Sequence, residues 1–222
     1  MGADSREHDM ASPERRWFPL RIVLYLVFIG LVLKIEVGLV LRYGFQRILL
    51  ENAVVEWASV AVCALAAVLF CATAIRDRGR RGLALVLACF ALTACAREMD
   101  LFLECLAFEN VHHLLIAAFL VLAAVAAFAF RRGMVREVGA FLQRPAFVLL
   151  IFGLGLAAFW AQALGVRWLW SHFSTSVYPI DPNGVRCMVE ETLELAAYLL
   201  ILFGAFEELF FVRPTRESRK ED

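Results

Sequence analysis

Ionisable residues stand inside otherwise apolar stretches of this 222-residue chain, and they recur at corresponding positions. Lys34 and Glu36 lie in the first apolar run, and Glu51 and Glu56 open the second. Arg97, Glu98, Asp100 and Glu104 close the third, His112 and His113 open the fourth, and Glu190, Glu191 and Glu194 open the last. A charge at the centre of a bilayer costs about 2.5–3.5 kcal/mol on insertion scales, so such groups must face protein or water and find partners. Three chemistries fit these residue types. Glu56, Asp100, one of His112 and His113, and Glu194 could hold a divalent metal, because imidazole with carboxylate suits zinc, manganese or iron. In that reading Glu98 is the candidate general base of a metal-dependent membrane hydrolase. The second reading is a cavity for a cation or small polar ligand. The third is architecture, in which the acids pair with Lys34, Arg97, Arg42 or Arg47 and fix helix register. The metal signal is a spread of residues without His-x-x-x-His, Glu-x-x-His or Cys-x-x-Cys spacing.

Helical spacing indicates which of these groups share a face. Arg97, Asp100 and Glu104 recur at intervals of three and four, which predicts an ion pair within the third segment. Glu98 points toward the face that carries Cys95 and Cys105. Glu56 shares a stripe with Ser59 and Cys63. Lys34 and Glu36 are two apart, so each needs a partner on another helix. Glu190, Glu191 and Glu194 fall within one turn, and Tyr198 continues that face. Three carboxylates so close repel unless a proton, an arginine or a metal lies among them. Adjacent histidines point about 100° apart on a helix, so one of His112 and His113 would serve as ligand.

The elements that must position these groups follow from composition. The chain is 62% hydrophobic and 20% charged, against about half apolar and 25% charged in soluble domains. Apolar runs cover about 20–41, 53–75, 83–103, 111–130, 146–164 and 188–212, each close to the roughly 20 residues that cross a bilayer. The expectation is an all-α, polytopic membrane protein: a compact bundle of six transmembrane helices (20–212) between a tail at 1–19 and a basic tail at 213–222. Sixteen of the 22 Lys and Arg lie in the two tails, at Arg21, and in the connections Arg76–Arg81 and Arg131–Arg144. Short basic segments stay cytoplasmic, so both termini are expected inside, in a bacterial inner membrane. A net charge of zero argues against nucleic acid as a partner. The expected partners are the lipid bilayer and a small cation or polar ligand, with a protein partner or a second copy left open.

Small residues at Gly153, Ala157 and Ala161 predict close helix packing. The connection 165–186 is the longest, with Trp168 and Trp170 as interfacial anchors or as part of a lid. Glu207 and Glu208 are expected to snorkel or pair with basic loops. Cys105 and Cys187 both fall at the outer end, where a disulfide between them is one possibility and two separate thiols the other. The remaining four cysteines read as small buried apolar residues.

The stretch Glu51-Asn-Ala-Val-Val-Glu-Trp57, with Ala96-Arg-Glu-Met-Asp100, resembles a pattern in small uncharacterised bacterial inner-membrane proteins. That resemblance covers the second and third segments and brings no activity with it. Ser59, Asp100 and His112 echo part of the seven-span metal-dependent hydrolases resembling alkaline ceramidases. The chain departs from those in having six segments, and in carrying Glu190-Glu-x-x-Glu194 where their histidine pair would stand.

Overall fold

The computed structural model describes residues 17–43, 54–100, 102–103, 110–171 and 182–212. Among them there is helix and no strand. In chain order they form α1 (Phe18–Tyr43), α2 (Val54–Arg76), α3 (Arg81–Glu98), α4 (Val111–Ala129), α5 (Arg131–Phe141), α6 (Pro145–Leu164), α7 (Arg167–Ser171) and α8 (Pro182–Phe210). A 3-10 turn, Arg78–Arg80, joins α2 to α3 and is capped by Asp77, whose carboxylate accepts from Gly79 N at 2.9 Å.

Five of these helices are long and apolar enough to cross a membrane: α1, α2, α3 with its leading turn, α4 and α6. The sixth expected segment is present as α8, the longest helix at 29 residues. Its charge sets it apart from the five, because Glu190, Glu191, Glu194, Glu207 and Glu208 all lie within it. The expected basic connection after α4 is itself helical. Its polar and apolar residues segregate along α5, which buries Glu137 and Phe141 while Arg131, Arg132 and Arg136 stay exposed.

Helix α8 is the hub, packing on α1, α2 and α6; α3 then packs on α2, and α4 on α3. The α6–α8 contact depends on the small residues read from the sequence. A Cβ at Gly153 would lie 2.8 Å from the Ala197 carbonyl oxygen, and one at Gly204 would lie 2.9 Å from Leu150 Cγ. Only hydrogen at these positions lets the backbones approach, which supplies van der Waals contact where lipid offers no hydrophobic drive. Phe70, Ala88, Ala91, Leu150 and Ala205 form one buried core; Ile29, Val55, Leu195 and Leu199 form a second around α1 and α8.

The start of α1 and the end of α8 lie at the same end of the bundle. Arg21 Nε meets Glu207 Oε1 at 2.6 Å, and the Tyr25 hydroxyl donates to the same oxygen at 2.7 Å. Beside them Arg80 bonds Asp77 at 2.7 Å and Glu208 at 3.2 Å, and Arg144 also pairs with Glu208. Glu207 and Glu208 thus pair with basic residues and are buried in doing so.

Candidate functional site

At the opposite end, α2, α3 and α8 bring their acids together. Six carboxyl groups (Glu56, Glu98, Asp100, Glu190, Glu191 and Glu194) and the Arg97 guanidinium line one cavity of about 180 Å³. Helices α2 and α3 contribute at a terminus, and α8 contributes from its interior, more than two turns after Pro182. Glu56 sits in the first turn of α2, and Arg97 and Glu98 end α3. Met99 leaves helical geometry at φ −101°, ψ 16°. That break interrupts the helix between Arg97 and Asp100, which is helical again, so the two do not share one unbroken helical face.

Arg97 bridges α3 to α8. Its Nη2 pairs with Glu194 Oε1, and its Nε lies 3.4 Å from Glu98 Oε1. The expected turn-internal pairing with Asp100 gives way to these two contacts, because the long guanidinium reaches the neighbouring helix. Glu98 turns toward Arg97 and α8, where Tyr198 donates its hydroxyl hydrogen to Glu98 Oε1 at 2.8 Å. Gln162 of α6 donates to Glu194 Oε1 at 3.3 Å. Glu98 and Glu194 are both buried, while Arg97 is about half exposed.

One oxygen each of Glu98, Glu191 and Glu194 fall within 4.8 Å of one another. This is the group, among the described residues, whose ligand atoms converge closely enough for one ion. Its membership differs from the metal set expected from the sequence. Glu194 is common to both sets, and Glu98, expected as a general base, stands in the converging triad. Glu191 enters, Glu56 and Asp100 line the cavity outside the triad, and His112 and His113 are absent from the lining. The histidine rings lie against each other on α4, 3.9 Å between centroids and tilted by 50°, and α4 packs on α3 instead of on α8. Among the described residues Glu191 accepts no hydrogen bond and joins no ion pair, whereas Glu190 lies 3.9 Å from Arg186 Nε. A Cβ at Gly165 would meet Glu190 Oε2 at 2.9 Å, so the glycine lets the end of α6 approach that acid.

Other expected members of the layer are placed elsewhere. Glu36 is buried and accepts from Thr192 Oγ1 at 2.6 Å, which ties α1 to α8 and leaves its second oxygen without a partner. Lys34, two residues away, is exposed and forms no ion pair among the described residues. Glu51, Glu104 and Cys105 lie outside the described residues. Cys187 carries a free thiol, and Cys105, with which a bridge was one of two alternatives, lies outside the described residues; the Arg186 guanidinium lies 3.8 Å from the Cys187 sulfur. Trp170 donates to the Leu164 carbonyl at 2.6 Å and holds α7 against the end of α6.

Below the acids is an apolar cavity of about 540 Å³ between α2, α3, α6 and α8, with Phe70, Leu150 and Ile201 in its wall. Arg97 lines both cavities, and Gln162 and Tyr198 form the polar end of the apolar one. Residues Leu156–Ala161 of α6 wind as a π-helix along this wall. Such segments concentrate at functional sites because one extra residue per turn re-aims the side chains that follow, here Gln162. Ser59 is fully buried on the α2 face shared by Glu56 and Cys63, one turn from each, and its Oγ has no partner. Thr73 and Thr93, by contrast, donate to carbonyls four residues back at 3.0 Å. Gln162, Thr192 and the π segment were missed by sequence reasoning. The lone amide of Gln162 in an apolar run was a readable signal, whereas the π winding has none. Comparison of the chain with known protein families, with characterised proteins and with solved structures finds no match.

Proposed function

We propose that this chain is a six-span membrane protein, α8 being the sixth span, whose acid pocket binds a cation. The observation that carries the reading is the convergence of Glu98, Glu191 and Glu194 within 4.8 Å around a single guanidinium. Arg97 offsets at most one of the three carboxylates, and buried like charges require a further proton or cation. Oxygens around one calcium ion, at 2.3–2.6 Å from it, are at most about 5 Å apart, so the triad matches that sphere. A set made only of carboxylates favours hard cations such as calcium, magnesium or manganese over zinc. The unpartnered Ser59 hydroxyl, on the face of Glu56, agrees with a polar occupant of this region. Orientation follows from the basic residues: the end with Arg80, Arg131 and Arg144 is cytoplasmic, both termini are inside, and the acid pocket opens outward from a bacterial inner membrane.

The test is the thermal midpoint of detergent-solubilised protein during titration with calcium, magnesium, manganese or zinc at constant ionic strength. A saturable rise for the hard cations is expected, lost in Glu191→Gln. A wild-type midpoint indifferent to every cation contradicts the reading.

One observation favours a second reading, a metal-dependent hydrolase acting near the outer leaflet. The apolar cavity meets the acid pocket at Arg97, so a lipid chain lying there would present its head to the triad. Metal-dependent cleavage of a lipid ester or amide, lost in Glu98→Gln, is the outcome that selects this reading over simple binding.

A further inference from the structure

At the basic end of the bundle a separate cavity of about 410 Å³ is lined by Arg78 and Gly79 of the 3-10 turn and by Arg131, Arg132, Arg136 and Glu137 of α5. Five further arginines at this end do not line this cavity and bind elsewhere. Arg80 and Arg144 meet Glu208, Arg21 meets Glu207, Arg76 donates to the Leu209 carbonyl at 2.9 Å, and Arg81 donates to the Ala74 carbonyl at 3.1 Å. The four in the cavity wall converge from two connections that are far apart in sequence.

The corner that brings them together is fixed by packing. A Cβ at Gly82 would lie 2.6 Å from Phe130 Cβ, so only glycine lets the start of α3 meet the α4–α5 junction. Glu137 Oε2 accepts from Leu83 N at 2.8 Å, which docks α5 on α3 and engages the one carboxylate of the wall. Arg131 lies over the Phe128 ring at 4.3 Å, and Arg132 is exposed without an ion pair among the described residues. The cavity thus presents four guanidiniums and one carboxylate already bonded to backbone. The remaining wall is apolar, made by Ala129 and Phe130. From that wall the face of α4 carrying Val121, Val125 and Phe128 runs uncovered along the bundle.

We propose that this cavity holds the headgroup of an anionic phospholipid, with the phosphate on the arginines and an acyl chain along α4. Charge complementarity selects the head, because guanidinium forks match phosphate oxygens two at a time. The continuous apolar face selects a lipid over a free anion, since it gives the chains a path that begins at the phosphate. The inference rests on the reading that the helices span a membrane, and it is independent of the acid pocket.

The experiment is native mass spectrometry of the full chain released from nanodiscs holding equal phosphatidylglycerol and phosphatidylethanolamine with identical chains. Wild type is expected to retain phosphatidylglycerol preferentially. Arg131→Ala/Arg132→Ala should lower that retention roughly thirtyfold, from the attraction of two arginines near an anionic surface. Arg42→Ala, a charge change on α1 away from this cavity, should leave retention unchanged. Because all three arginines are exposed, the variants are expected to fold, and Arg136→Gln gives an independent loss. Equal retention of the two lipids, undiminished retention in the double variant, or displacement by millimolar glycerol phosphate overturns the proposal. Extraction of the chain from membranes by alkaline carbonate is a different failure, that of the membrane reading itself.

Discussion

At the scale of single residues, the acid pocket is organised by Arg97. Its guanidinium is the bridge between two buried carboxylates on different helices, Glu98 and Glu194. Arg97→Met is expected to destabilise the fold by about 3 kcal/mol, the low end for a broken buried pair because Arg97 is half exposed. Adding Glu194→Gln should recover a large part of that loss, and chemical denaturation of the two variants in mild detergent measures the coupling. Tyr198→Phe should cost about 1–3 kcal/mol by leaving Glu98 short of a donor. The acids themselves were legible in the sequence, because a carboxylate in an apolar run has few reasons to be there. Their pairing was not. The helix break at Met99 has no strong residue signal, and it redirects Arg97 from Asp100 to α8. Nor could spacing within α4 show that His112 and His113 sit on a helix that packs on α3 rather than beside the triad.

At the scale of elements, the contacts of α6 and α8 rest on glycine positions that can be distinguished experimentally. Gly153→Leu forces side-chain atoms into the Ala197 carbonyl and Ile201, and overpacking of this kind costs about 1–3 kcal/mol. Gly155, two residues on, has open space around a Cβ, so Gly155→Ala should be neutral or stabilise by up to about 1 kcal/mol. The thermal midpoint should therefore fall in Gly153→Leu and hold or rise in Gly155→Ala. Helix α5 adds a pH dependence outside the spans. Burial pushes the Glu137 carboxyl above the ordinary range, against the lowering effects of the Leu83 amide, Arg136 and Arg144. A carboxyl that is harder to ionise when folded than when unfolded favours the fold at low pH. That contribution fades as pH rises through its raised value. Glu137→Gln should flatten this part of the stability curve, from the ordinary carboxylate range upward. If the slope persists in the variant, Glu137 is not its source. Five helices long and apolar enough to cross a membrane were legible, since length and hydropathy fix them directly, although the third ends at Glu98 and not at 103. Helix α5 was hidden, because its arginines read as a connection.

At the scale of the whole molecule, two polar layers close the ends of an apolar bundle, and they differ in kind. At the basic end Arg21, Arg80 and Arg144 form defined pairs with Glu207 and Glu208, while the opposite end gathers six carboxyl groups around an open cavity. Since α1 begins and α8 ends on the same side, tags at the two ends of the chain should be shielded together from a protease added to intact cells. Protection of one tag alone contradicts the topology. The central claim is that the surplus of carboxylates serves a cation, and equilibrium dialysis of manganese against the solubilised full chain tests it most directly. One ion per wild-type chain is expected, competed by calcium and lost in Glu98→Gln/Glu191→Gln while the variant stays folded. Manganese that fails to bind the folded wild type, or binds the double variant equally well, contradicts the account.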